Sequence, residues 1–162
     1  MKRMKNKWMN VVMLIAALSL SSLFAKAQNA TSVQDYLSGL STADQQTMNS
    51  LLNDAQPTAA VTANGLSVFG GANATVLDFN INNFNNVNFN DALLSNVQLI
   101  KIRLNSASDF SQVLDLTAAS ALTQLNCVLL LSSVNATATQ LDAVLQNLPT
   151  NVSTCYSISI PN

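Results

Sequence analysis

Four short apolar runs, at residues 76–81, 99–104, 127–132 and 155–160, constrain the fold of this chain more than any other feature. The last three begin 28 residues apart, at 99, 127 and 155, and the first begins 23 residues earlier. Short runs rich in Val, Ile, Leu and aromatic residues read as strands. Strands that point the same way need a long connection, so this spacing predicts parallel strands joined by right-handed crossovers. Between the second and third runs, Phe110, Val113, Leu114, Ala118, Ala121, Leu122 and Leu125 predict a helix with one apolar face. Ser106 or Ser108 would cap it, with Asp109 at its N-terminal dipole. Leu141, Val144, Leu145 and Leu148 predict another helix, stopped by Pro149, and residues 91–97 a shorter helical turn.

Stacking the runs at these offsets sorts their side chains into two faces. One collects Leu77, Ile100, Val128 and Tyr156, then Phe79, Ile102, Leu130 and Ile158, then Ile81, Leu104, Ser132 and Ile160. It is almost wholly apolar, so the helices are expected to pack there. The other collects Val76, Leu99, Cys127 and Cys155, then Asp78, Lys101, Leu129 and Ser157, then Asn80, Arg103, Leu131 and Ser159. This mixed face is expected to be at least partly open to solvent. A doubly wound sheet buries both faces, so a two-layer arc fits the pattern better.

That arrangement, together with "LTQLNCVLLL" at 122–131, resembles the leucine-rich repeat family over about residues 76–162. The resemblance implies an α/β fold: a short, two-layer, solenoid-like arc of about four parallel strands with helices on one face. A rival pattern lies within it. Phe79, Phe84, Phe89, Leu94 and Leu99 recur every five residues, which resembles a pentapeptide-repeat β-helix. The plainer alternative is an Asn-rich connection whose apolar residues dip into a core.

Ahead of the arc, Val33, Tyr36, Leu37 and Leu40 recur at helical spacing. Ser41 can cap a second helix, with Asp44 in its first turn and Met48, Leu51 and Leu52 facing inward. Residues 28–56 therefore read as an N-terminal helical hairpin capping one end of the stack, preceding the arc. Residues 57–75 read as a linker with a turn at Asn64-Gly65, a possible short strand at 66–69 and a turn at Gly70-Gly71.

Residues 1–27 carry the three parts of an export signal. Lys2, Arg3, Lys5 and Lys7 form a positive start, an apolar run is densest at residues 11–18, and Ala25-Lys26-Ala27 offers a small-x-small cleavage site. The strongly apolar core is shorter than the roughly 20 residues that span a bilayer. The expectation is cleavage before Gln28 and a secreted or periplasmic product with no remaining membrane span. The "FAKAQ" ending resembles signal peptides of the Bacteroidetes.

Cleavage at that point removes five of the seven basic residues, leaving Lys101 and Arg103 against eight aspartates. The chain has no Glu and no His. Without His there is no Ser-His or Cys-His nucleophile pair and no imidazole metal ligand. Two cations are too few for a phosphate-binding surface, which argues against nucleic acid. Gly70-Gly71 is not a phosphate loop. Catalysis would have to run on aspartates, as in glycosidases with paired carboxylates. Asp109 and Asp115 fall on different faces of the predicted helix, where solvated helix surface is the simpler reading. No catalytic residue, metal site or cofactor is expected.

Two constellations stand out. Cys127 and Cys155 fall side by side at the start of neighbouring strands, which lie about 4.8 Å apart. A disulfide between them would stabilise by roughly 3.5 kcal/mol in the chain-entropy model; two half-buried thiols are the alternative. Asp78 and Lys101 fall opposite each other, with Arg103 one row away. A cross-strand ion pair is worth at most about 1 kcal/mol if exposed. The sharper reading is a ligand-binding spot of Asp78, Asn80, Lys101, Arg103, Ser157 and Ser159. The function expected is a non-enzymatic interaction or structural module, with protein or carbohydrate at the cell surface as partner. The alternative is a small carbohydrate-binding or carbohydrate-active protein relying on aspartates.

Overall fold

The computed structural model describes residues 30–161, so the export-signal reading of 1–27 lies outside the described residues. The chain runs through β1 (Thr31–Ser32), α1 (Val33–Ser38), α2 (Thr42–Asn53), β2 (Thr58–Thr62), β3 (Gly65–Phe69), β4 (Val76–Asn80) and β5 (Leu99–Leu104). It continues through β6 (Leu114–Asp115), β7 (Cys127–Ser132), α3 (Ala138–Asp142), β8 (Leu145–Gln146) and β9 (Ser153–Ile158). The fold is mixed α/β, built on a mostly parallel seven-stranded sheet of order β1-β9-β7-β5-β4-β2-β3. The sheet stays open. Only β3 is antiparallel to its neighbour.

Each strand start is tied to the one before by the same device. The Pro57 carbonyl accepts the amides of Thr75 and Val76, Thr75 those of Gln98 and Leu99, and Gln98 those of Asn126 and Cys127. The Asn126 carbonyl then accepts the Ser153 amide at 3.0 Å. Register follows from this stacking: Leu77, Ile100, Val128 and Thr154 form one row, and Phe79, Ile102, Leu130 and Tyr156 another.

β9 departs from the expected register. It begins at Ser153 rather than Cys155, so Cys127 sits opposite Ser153, and Cys155 opposite Leu129. The last connection is shorter than the one before, closed by a turn in which the Val152 amide reaches the Pro149 carbonyl. A slip of two leaves every side chain on its face, because side chains alternate with period two. Hydrophobic patterning therefore could not distinguish the two registers.

The predicted linker is part of the sheet. β2 pairs in parallel with β4, and β3 folds back on β2 through a turn in which Gly65 adopts φ +105°. Five parallel neighbours in sequence order, β2, β4, β5, β7 and β9, replace the expected four.

The layer over the apolar face is also not helical as expected. Residues 108–125 form 3₁₀ segments at Ala107–Ser111 and Thr117–Ala121, with β6 between them. Leu116, Ala119, Leu122 and Leu125 are buried at intervals of three; the amides of Ala119, Leu122 and Leu125 each donate to the carbonyl three residues back, while that of Leu116 donates to the Gln146 carbonyl. A 3₁₀ turn repeats every three residues, so this rhythm mimics part of an α-helical stripe. Val113, Ala118 and Ala121, assigned to a helical face, are exposed instead. The second predicted helix shortens to α3, after which β8 pairs in parallel with β6 behind the main sheet. The 91–97 turn forms as a 3₁₀ segment, Ala92–Leu94.

The five-residue series is a single connection, not a β-helix. Phe79 lies in β4, Leu99 in β5, and the 3₁₀ segment Ile81–Asn86 carries Phe84. The Phe84 ring stands 6.2 Å from Phe79 and 6.1 Å from Phe89, centroid to centroid. Asparagines finish the edges of this turn: Asn83 and Asn86 donate to the Val61 and Thr62 carbonyls at the end of β2.

Helices α1 and α2 form where the sequence places them, capped by Ser32 and Ser41. They cover the sheet's second face rather than one end of the stack. Met48 and Leu51 are buried with Val76, Leu99, Cys127, Leu129 and Cys155, and Val33, Tyr36, Leu37 and Leu52 pack around them. Half of the mixed face is thereby closed to solvent.

Replacing Leu116, fully buried, by Ala is expected to cost about 2–5 kcal/mol in urea unfolding. Val113→Ala, at a position 53% exposed, should stay within about 0.5 kcal/mol. Equal losses at both would restore the helical reading of 108–125.

Candidate functional site

Parallel pairing of β4, β5, β7 and β9 assembles the residues singled out from the sequence, but gives them different partners. Asp78 is opposite Lys101 and Asn80 opposite Arg103, as expected. The ion pair, however, is diagonal. Arg103 grips Asp78 through both ends of its guanidinium, Nε to Oδ1 at 2.7 Å and Nη2 to Oδ2 at 2.6 Å. That fork matches a carboxylate, and lysine cannot provide it. The Arg103 side chain is 51% exposed, so the pair is worth about 1 kcal/mol at most. The Asp78 hydrogen bond holds the guanidinium even more firmly charged than usual.

Lys101 reaches the opposite way and donates to the Leu52 carbonyl in the last turn of α2, at 3.4 Å. A cation there complements the negative end of the helix. Burial lowers the affinity of its ammonium for a proton. Asn80 is occupied locally, its side-chain oxygen accepting the Asn82 amide. Ser157 shares a cavity of about 270 Å³ with Lys101, floored by Leu129 and Leu131 and roofed by Val33, Leu37 and Leu52. Ser159 lies beyond β9, and its amide donates to the Ser132 carbonyl. Lys101 and Ser157 thus face one cavity, Asp78 and Arg103 form a pair outside it, and Asn80 and Ser159 act as backbone fasteners.

The cysteines lie two rows apart on one face, fully buried beneath α1, rather than side by side. Their sulfurs are 3.1 Å apart and unbonded. The hydrogen bond with Cys155, with burial second, pushes the Cys127 thiol up, so it is held protonated and is a poor nucleophile. Tyr36 of α1 places its hydroxyl beside Cys127 and Ser153. Burial first, then the two cysteines, pushes its hydroxyl up to about 12.

Sequence reasoning gave Tyr36 only as an apolar helix residue and missed this role. It also missed a second cleft of about 230 Å³, where Tyr36, Asp44, Asn126, Asn151 and Ser153 surround an apolar floor of Met48 and Leu51. Its residues come from four separate segments, which no local motif could reveal. Asp109, read as solvated helix surface, is buried: its carboxylate accepts the Asn105 and Ser106 amides and the Ser106 hydroxyl. Asp115 is exposed and accepts both the hydroxyl and the amide of Thr117, which lowers its pKa.

Among the described residues no group of three or more metal-ligating side chains gathers, and no helix is long and apolar enough to cross a membrane. No family model, curated protein or solved structure matches the chain.

Closing the 3.1 Å gap to a disulfide requires the two thiols to give two protons and two electrons to an oxidant such as another disulfide. Protein denatured without reductant should show two reactive thiols, as the unbonded sulfurs predict; none would mean that an oxidant has closed the pair. Tyr36 binds its proton more tightly when folded, so its contribution to stability is complete below pH ~10 and fades as pH rises towards about 12. Tyr36→Phe should remove the late component of the tyrosinate absorbance titration.

Proposed function

We propose that this protein is an exported, non-enzymatic interaction or structural module. The carrying observation is the employment of its carboxylates. In a chain without Glu or His, acid–base chemistry falls to aspartate. Seven of the eight aspartates accept hydrogen bonds that hold turns, caps or strands. Asp35 and Asp44 bind the capping serines Ser32 and Ser41, Asp91 the Leu93 amide, and Asp142 the Ala30 amide. Asp78, Asp109 and Asp115 are engaged as described above. Glycoside cleavage needs two carboxylates facing each other across a substrate, and these are committed one by one to separate local tasks.

The stacked strand starts support reading the sheet as a short solenoid-type arc resembling leucine-rich repeats. Its contact surface is the strip of the second face that α1 and α2 leave uncovered, from Asn80 and Arg103 to Ser157. The positive-apolar-small pattern of residues 1–27 supports secretion or a periplasmic location.

A second reading, a small carbohydrate binder, is favoured by the Tyr36 cleft. An aromatic ring, two amides, a hydroxyl and a carboxylate over an apolar floor suit a neutral polyhydroxylated ligand.

An array of glycans and extracellular proteins, screened alongside a hydrolysis assay, tests both readings. The module should bind without turnover, and Lys101→Gln with Arg103→Gln should abolish binding made at the strip. Release of sugar would overturn the non-enzymatic reading; binding lost with Asn126→Ala and Asn151→Ala, and kept in the first pair, would favour the cleft.

A further inference from the structure

Lys101 and Arg103 are the two cations of residues 28–162, and the fold employs them unequally. Arg103 closes its fork on Asp78 outside the cavity beneath α1 and α2. Lys101 forms no ion pair among the described residues, because Asp78, which attracts it, is held by Arg103. Its one hydrogen bond there, to the Leu52 carbonyl, is long at 3.4 Å. An ammonium carries three donors, so Lys101 enters the cavity of about 270 Å³ with donors to spare. Burial loosens its hold on its own proton, as expected of a cation short of compensation.

The cavity crosses β7. Lys101 stands on β5 at one end and Ser157 on β9 at the other, a span of two strand spacings, roughly 10 Å. Between these ends the lining is hydrocarbon, with Leu129 and Leu131 below and Val33, Leu37 and Leu52 above. Of the lining residues Lys101 alone is charged. The Ser157 hydroxyl makes no hydrogen bond among the described residues. The lining is therefore sorted along its length, from a cation through an apolar middle to a free hydroxyl.

We propose that this cavity binds a small amphiphilic carboxylate, its head on the Lys101 ammonium beside Asn53 and its chain over Leu129 and Leu131 towards Ser157. This rests on the module reading and adds a ligand class to it. The lining selects both parts of the ligand. An inorganic anion leaves the leucine floor wet, and a neutral apolar molecule leaves a half-buried ammonium without a partner. A peptide carboxyl terminus fits less well, because the sheet backbone beneath is already paired and the peptide's amides would go unsatisfied.

Isothermal titration calorimetry tests this with octanoate, butyrate, octanol and octylamine as probes. The protein, Lys101→Met and Lys101→Arg are compared, each checked for folding by its thermal transition. Octanoate should bind once per chain and raise that transition. Butyrate, with the same head and a shorter chain, should bind at least about tenfold more weakly. Octanol, lacking the charge-assisted bond, should lose about tenfold or more, and octylamine should give no binding. Lys101→Met, which keeps the apolar stem, should weaken octanoate by about tenfold and leave octanol unchanged, while Lys101→Arg retains octanoate. Absence of octanoate binding to the unaltered protein overturns the proposal. So does equal affinity for octanoate and octanol, or for octanoate and butyrate, since either shows that head or chain goes unread. An unchanged octanoate affinity in Lys101→Met also overturns it, because the ligand then sits elsewhere. None of these results touches the module reading, which falls on release of sugar in the hydrolysis assay.

Discussion

Pairing of β5 with β7 over six residues, from Leu99 with Cys127 to Leu104 with Ser132, is the interaction on which the rest of the structure depends. These two strands bury the most side chains, and on both faces. Ile100, Ile102, Val128 and Leu130 lie in the core under the 3₁₀ layer, while Leu99, Cys127 and Leu129 lie under α1 and α2. A one-residue slip would exchange the two sets and place Lys101 and Arg103 in the main core. Every other strand is added outward from this pair. Stability declines in the same direction, since each step out buries less apolar surface.

The strand pair was legible because its sequence leaves no competing account. Residues 99–104 and 127–132 were bounded correctly at both ends. α1 was legible through the helical spacing of Val33, Tyr36, Leu37 and Leu40, and α2 through its serine cap. The connections were not, and the reason is geometric. Leu116, Ala119, Leu122 and Leu125 recur every three residues, and i, i+3 spacing belongs to the α-helical stripe as well as to the 3₁₀ turn. Serine, asparagine and aspartate between them tip the balance, since their side chains capture nearby amides and end helices early. β2 was missed because Thr58–Thr62 is small and Ala-rich, and becomes a strand only by pairing with β4. The β9 register was invisible to patterning for the reason that a slip of two changes no face.

The candidate site was half legible. Alternation along the strands correctly put Asp78, Lys101, Arg103 and Ser157 on one face, yet could not foresee that Arg103 would reach diagonally or that α2 would draw Lys101 away. Those outcomes depend on side-chain length and on a helix packed from elsewhere in the chain. The same holds for Tyr36, whose contact with Cys127 exists only after α1 docks on the sheet. With so few charges, nearly every one acquires a structural partner, and what remains for recognition is shape, amides and open sheet edges.

The sheet is sealed on its apolar face, covered by α1 and α2 over Val76, Leu99, Cys127, Leu129 and Cys155 on the other, and open at its two borders. Amide hydrogen exchange, followed residue by residue on dilute protein, tests this arrangement most directly. Amides of Leu99–Leu104 and Cys127–Ser132 should exchange slowest, near the rate of global unfolding. The outward-pointing amides of β3 and of residues 157–160 should exchange fast. Fast exchange in β5 and β7, or protection along the outer side of both borders equal to theirs, would contradict it.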